Sequence, residues 1–252
     1  MSDLFGQEVS VPRISKSNFI RSLQCLKSLY LNKKHFKLKD PIPKEKLDNF
    51  RRGTDFGILA QDLFPGGVDC SPKNYWQLDS SIRQTSLLMG SGQETLYEAS
   101  FNYNNLICMV DLMQKEGEHW NAYEVKSSSR LYEHQIKDAS FQYYILKNLN
   151  ISLKDFYVVT LNFEVVRENF DVDQGFEISA EALKEKGIPL KSIFSFHKIT
   201  EEAEELVEFI ETRSDAAKLV LAETDIPGIK MGEHCDKPYT CDFKGFCRRE
   251  AL

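Results

Sequence analysis

A mixed α/β fold is the class this sequence predicts, and three observations predict it. Residues 95 to 166 read as three consecutive strands, a helix and a further strand; the first ninety residues carry apolar side chains at helical spacing; and a loop-rich tail holds three evenly spaced cysteines. A strand that follows a helix can return beside its predecessor by a helical crossover, which makes the sheet mixed and flanks it with helices. No internal repeat, low-complexity tract or flexible linker divides the 252 residues. One domain is therefore expected, with a basic helical part over residues 13 to 92, an α/β core over residues 95 to 166 and a tail over residues 232 to 249.

Taken in order, Ser15-Lys16-Ser17 offers an N-cap, and Phe19, Leu23, Leu26, Leu29 and Tyr30 then recur at helical spacing, predicting a helix over residues 17 to 33 with Cys25 inside it. Pro41-Ile42-Pro43 breaks the pattern. A second helix is expected over residues 44 to 63, ended by Pro65-Gly66-Gly67, and a third over residues 75 to 89, closed by Gly90-Ser91-Gly92. From Leu96 the period becomes two, so residues 96 to 103, 106 to 113 and 119 to 126 read as strands, with Lys115-Glu116-Gly117-Glu118 the polar turn between the last two. Residues 133 to 148 return to helical period and place Gln135 and Gln142 on one face. A strand is expected over residues 156 to 166, and residues 170 to 187 admit a short strand or loop and a helix. Residues 193 to 197 suit an edge strand. Ala203, Leu206, Val207 and Ile210 then predict an amphipathic helix over residues 201 to 222 with an acidic outer face.

A hydrophobic content of 42% supports a real core. No run approaches the roughly 20 apolar residues that span a bilayer, and the first eleven residues are polar. The expected compartment is cytoplasmic, where six cysteines serve as reduced thiols or metal ligands more often than as disulfides. The net charge of -6 argues against a polyanion partner until the charges are located: residues 13 to 52 hold twelve Lys/Arg against three Asp/Glu. Such a basic segment can form the phosphate-binding surface of an otherwise acidic protein, although a charged helical face can also be simply solvated.

Chemistry concentrates at Tyr123-Glu124-Val125-Lys126. Side chains alternate along a strand, so Glu124 and Lys126 share one face. A hairpin through the polar turn sets Asp111 opposite or diagonal to Glu124, within reach of one hard cation that prefers oxygen ligands. Two carboxylates, such a cation and an ammonium suit phosphodiester hydrolysis. A Glu-x-Lys triplet alone occurs by chance in most proteins of this size; its combination with Asp111, Glu98, the glutamine helix and the cysteines carries the weight. Cys235, Cys241 and Cys247 are hard to explain as core packing and point to a metal. Tetrahedral zinc and iron–sulfur clusters both take four ligands, so a fourth must come from elsewhere, and His234 is one candidate for zinc. Cys70 and Cys108 read as structural, and His119, His134 and His197 as isolated.

These residues together carry a resemblance. A cysteine in the stretch Ser22-Leu23-Gln24-Cys25-Leu26-Lys27-Ser28-Leu29-Tyr30, then Asp111, Glu124-Val125-Lys126 and Gln142, and three closing cysteines resemble the iron–sulfur branch of the RecB-like PD-(D/E)XK nucleases, which includes the CRISPR-associated RecB-like exonucleases and the AddB nuclease domain. The likeness runs from Ile14 to Cys247 and takes in the Phe64-Pro65-Gly66-Gly67 segment. It implies a restriction-endonuclease-like core and a [4Fe-4S] cluster on Cys25, Cys235, Cys241 and Cys247 that pins the tail to the first helix. It also implies Mg²⁺ or Mn²⁺ on Asp111, Glu124 and the Val125 carbonyl, Lys126 as the catalytic lysine, and DNA, single-stranded or with free ends, as the partner. Gln142 is implied near the substrate, with Tyr143 or Tyr144 stacking on a base or reaching a phosphate. The family's helical histidine ligand is missing from Gly57-Ile58-Leu59-Ala60-Gln61-Asp62, so Gln61 is the candidate for that slot and Glu98 the alternative. The competing expectation is a non-catalytic nucleic-acid-binding or adaptor protein that keeps fold and cluster; a redox sensor is a third.

Overall fold

The computed structural model describes residues 12 to 171 and 178 to 250. They gather into two compact units, one holding the chain up to Ile42, Asn102–Ile107 and the part from Val207 on, the other Pro43–Phe101 and Cys108–Leu206. In chain order the elements are β1 (Ile14–Ser15), α1 (Lys16–Gln24), α2 (Leu26–Lys34), α3 (Lys44–Gln61), β2 (Val68–Asp69) and α4 (Leu78–Gly90). Next come β3 (Thr95–Tyr103), β4 (Leu106–Glu116), β5 (His119–Lys126), α5 (Glu133–Asn148), β6 (Leu153–Leu161), α6 (Phe163–Asn169) and α7 (Ala180–Glu185). The chain ends with β7 (Phe194–Lys198), α8 (Thr200–Glu205), α9 (Val207–Ala222) and α10 (Lys244–Glu250). The fold is α/β, with a seven-stranded mixed sheet ordered β2-β3-β4-β5-β6-β7 and β1 pairing with β4. Among the described residues no helix is long and apolar enough to cross a membrane.

The pairing of β5 with β6 is parallel, as a crossover through α5 requires, whereas β4–β5 and β6–β7 are antiparallel. On one sheet face Phe56, Leu59 and Ala60 of α3 pack with Tyr97, Leu112, Tyr123, Val159 and Leu161. Each large side chain so buried contributes about 1.5–3 kcal/mol. The Phe64-Pro65-Gly66-Gly67 turn wraps Tyr97: its hydroxyl donates to the Phe64 carbonyl (2.6 Å), with the Gln61 carbonyl also within reach (3.2 Å), and accepts from the Gly67 N–H (3.1 Å). A Cβ at Gly67 would run into the Tyr97 ring, so only glycine fits there.

Four expectations change. The helix expected over residues 17 to 33 is two helices parted at Cys25, whose backbone is extended (φ −164°, ψ 120°). The Cys25 N–H still donates to Arg21 and its carbonyl still accepts from Leu29. One extended residue with both bonds kept leaves the apolar period nearly unbroken, which is why spacing alone does not reveal it. The strand expected over residues 156 to 166 stops at Leu161, where Asn162 bonds the Ile193 and Ser192 carbonyls (2.8 and 3.0 Å), and Val165 and Val166 belong to α6 despite their β-branching. The helix over residues 201 to 222 is divided at Leu206 into α8 and α9. The four-residue turn is shorter, since β4 runs through Glu116 and Gly117 (φ 62°) takes the left-handed position. Of the expected segment 170 to 187, residues 172 to 177 lie outside the described residues, and α7 follows them.

Candidate active site

The β4–β5 register pairs Leu112 with Tyr123, and one further step sets Asp111 opposite Glu124. Leu112 and Tyr123 turn into the core under α3. Alternation then turns Asp111, Glu124 and Lys126 to the other face, where α5 lies. The chain reverses between β5 and α5, so their polar rows run in opposite directions. Helix residues four apart are separated by about 6 Å and strand residues two apart by about 6.6 Å, so the rows stay in step. Gln142 Nε2 donates to Glu124 Oε2 (2.5 Å), Asp138 accepts from Lys126 Nζ, and Gln135 Nε2 donates to Ser128 Oγ (2.9 Å). Lys126 Nζ also donates to Glu124 Oε1 (2.5 Å), and the Val125 N–H donates to Asp111 Oδ2 (2.6 Å).

Glu124 is 1% exposed and Gln142 fully buried. Burying a carboxylate is costly unless it is hydrogen-bonded, and the ammonium and amide supply those bonds. The Gln142 Oε1 atom is buried with no hydrogen-bond partner. An unpartnered amide oxygen beside an acid pair is a vacancy in the bonding scheme that a cation or an ordered water proton would fill. With Asp111 and Glu124 facing each other, this oxygen-rich donor set fits a hard divalent ion.

Each expected residue has a definite place. Asp111, Glu124, Lys126 and Gln142 come together. Val125 contributes its N–H to Asp111. Glu98 is half-buried on β3, the strand beside β4, with a left-handed backbone (φ 50°) that costs about 1–3 kcal/mol in a non-glycine residue. Gln61 ends α3, which packs on the opposite sheet face, and its carbonyl is within reach of the Tyr97 hydroxyl. Gln142, Tyr143 and Tyr144, expected near a nucleic acid, are buried. Tyr143 donates to Glu204 (2.7 Å) and meets Phe156 edge-on.

Two residues escape a reading by spacing to Lys126 alone. Asp138 and His134 stand four and eight residues before Gln142, on the same face of α5. That periodicity was the available signal, and it needs Gln142 as its anchor. Partial burial, and then the nearby Lys126 charge, pull His134 below the ordinary imidazole range. It is therefore not isolated.

The cysteines form a second constellation. Cys25, Cys235, Cys241 and Cys247 line one cavity together with Ser28, Leu31, His234 and Phe243. The break between α1 and α2 presents Cys25. Cys235 ends a 3-10 turn, Cys241 N–H donates to the Cys235 carbonyl (2.9 Å), and Cys247 lies in α10. The tail is tied to α1 by Gln24, whose amide donates to the carbonyls of Tyr239 (2.6 Å), His234 (2.9 Å) and Lys237 (3.3 Å). Arg21 reinforces this through Asp242 (2.7 Å). Burial pushes the Cys25 and Cys247 thiols up, and the other cysteines add to it. All four are free thiols.

Among the described residues no three of His, Cys, Asp and Glu converge closely enough to hold one metal ion. Tetrahedral zinc with Zn–S bonds of about 2.3 Å draws its thiolates to about 3.8 Å from each other. A polynuclear cluster places its own atoms between its ligands and accepts a wider frame. No protein-family model matches the chain, and no curated protein does.

Proposed function

We propose that the chain is a metal-dependent nuclease with a restriction-endonuclease-like core, hydrolysing phosphodiester bonds of DNA at Asp111, Glu124 and Lys126, and carrying a [4Fe-4S] cluster on Cys25, Cys235, Cys241 and Cys247. The observation that carries it is the opposition of Asp111 and Glu124 with Lys126 two residues on, each bonded by a neighbour that fixes its direction. Mg²⁺ or Mn²⁺ held by Asp111 and Glu124 would polarise the phosphoryl oxygen and acidify water. Lys126 presents its ammonium where negative charge develops on the phosphate. Asp138 anchors that ammonium from α5, and Gln142 holds Glu124 in one rotamer. The cysteine set supports a four-thiolate metal site because Cys25, Cys235, Cys241 and Cys247 line one cavity.

The test is end-labelled single- and double-stranded DNA with Mg²⁺ or Mn²⁺, a circular control revealing internal cutting. Lys126→Ala is expected to abolish hydrolysis while DNA still binds; wild-type turnover in that variant would overturn the assignment. Anaerobically purified protein is expected to be coloured, whereas zinc thiolates absorb no visible light.

A non-catalytic nucleic-acid-binding or adaptor protein is the second reading. It is favoured by one observation: both Glu124 oxygens are bonded internally, by Lys126 and Gln142. Calorimetric metal titration separates the two, because an adaptor would show no binding that Glu124→Gln removes.

A further inference from the structure

Tyr143 and Tyr144 are buried, whereas other aromatic side chains are exposed. The first half of α3 supplies one. Leu47 (48% exposed), Phe50 (55%) and Ile58 (58%) lie with Thr54 at i, i+3, i+7 and i+11, so they form one stripe on the side away from the buried Phe56 and Ala60. An exposed apolar stripe of this kind is a candidate binding face. Its charges are cationic by one: Lys44, Lys46, Arg51 and Arg52 against Glu45, Asp48 and Asp55. The Arg51–Asp48 pair (3.2 Å) is exposed and exchanges readily for a phosphate.

The helix also passes the catalytic strand's exit. A Cβ at Gly53 would lie 3.9 Å from the hydroxyl of Ser127, the residue after Lys126. Phe50 is one turn away, about 4.5 Å along the axis. Downstream of Ser127, Arg130 lies over the Tyr132 ring (4.7 Å) and Tyr132 stacks on His134 (5.6 Å, 26°). His134 in turn is one helical turn from Asp138, which holds Lys126. Phe50, Arg51 and Arg52 thus lie on the helix that covers the sheet face opposite Lys126, whereas Arg130, Tyr132 and His134 lie on the stretch that follows Lys126, and Gly53 beside Ser127 is where the two approach.

We propose that an unpaired nucleic-acid strand runs along the outer face of α3 and past the Arg130–Tyr132–His134 stack, with a base on Phe50 and phosphates on Arg51 and Arg52. Alternating rings and cations match the stacked bases and backbone of a single strand. A duplex hides its base faces from such rings. A second copy of the chain would bring this cationic helix against its own like charges. The strand path rests on the nuclease function proposed above.

Fluorescence anisotropy with a labelled single-stranded oligonucleotide in EDTA, which blocks hydrolysis, tests it. Phe50→Ala and Phe50→Leu are each expected to weaken binding roughly tenfold, since leucine keeps the apolar bulk but not the ring. Arg51→Ala with Arg52→Ala is expected to reduce the salt slope by about 1.4. Blunt duplex affinity should be unaffected by Phe50→Ala, and so should metal-dependent hydrolysis of a small aryl phosphodiester, which reports the active site without the surface. Unchanged single-strand affinity in both the Phe50 and the arginine variants would overturn the proposal, as would wild-type binding by Phe50→Leu or self-association that Phe50→Ala abolishes. If the wild-type chain fails to turn over the small diester, the nuclease function fails, while the anisotropy still decides the surface.

Discussion

Glu124 and Lys126 depend on each other for more than chemistry. Removing the lysine leaves a carboxylate that is 1% exposed with only the Gln142 amide and its other local contacts to hold its charge. Lys126→Ala is therefore expected to destabilise the fold by about 3 kcal/mol, in addition to ending the proposed hydrolysis. Adding Glu124→Gln to it should recover most of that stability and none of the activity, because the buried charge is gone; thermal denaturation of the four proteins in the cycle measures this. In the proposed nuclease, Asp138 would act through Lys126, with which it pairs, and not on the substrate. Asp138→Asn keeps an acceptor for the ammonium but removes its counter-charge, so kcat is expected to fall about tenfold while KM stays within about twofold. An equal loss in both would mean that the side chain only supports the fold.

At the scale of elements, the tail is held by a few polar anchors. Gln24 closes α1 and reaches three carbonyls of the 234–239 loop, so Gln24→Ala is expected to weaken that attachment by about 1–2 kcal/mol. In the cluster-loaded protein this would appear as faster loss of visible absorbance in air. Gly245 makes the second anchor: its N–H donates to Asp40 (2.8 Å), and a Cβ there would collide with the same carboxylate. Gly245→Ala is expected to push α10 and Cys247 away from their positions at a cost of about 1–3 kcal/mol. Limited proteolysis of the tail should report both changes. Within the other unit, α5 is tied to α8 by Tyr143 and Lys147 on Glu204, which keeps the Asp138–Gln142 row seated on β5.

Over the whole molecule, buried phenols are expected to set the alkaline limit. Burial pushes Tyr123 up to about 12, helped by nearby Tyr157 and Glu116, and burial with the Glu204 bond does the same for Tyr143. A folded state that keeps a proton the unfolded chain releases near pH 10 is fully favoured below that pH. It loses this advantage as pH climbs through about 12. Unfolding followed by circular dichroism is expected to begin between these values, and Tyr123→Phe should move its midpoint upward. An unchanged midpoint would show that other groups govern the limit.

What was legible without coordinates follows from period. The α/β class, the parallel return of β6 after α5, and the facing of Asp111 and Glu124 all derive from two- and 3.6-residue repeats, which local sterics impose. Tertiary structure decided what no repeat contains. The extended backbone at Cys25 keeps both flanking hydrogen bonds and so leaves no mark on spacing. The burial of Tyr143 and Tyr144 depends on which helix covers which sheet face. Asp138 became a partner of Lys126 only when the rises of helix and strand brought two rows, twelve residues apart in the chain, into step.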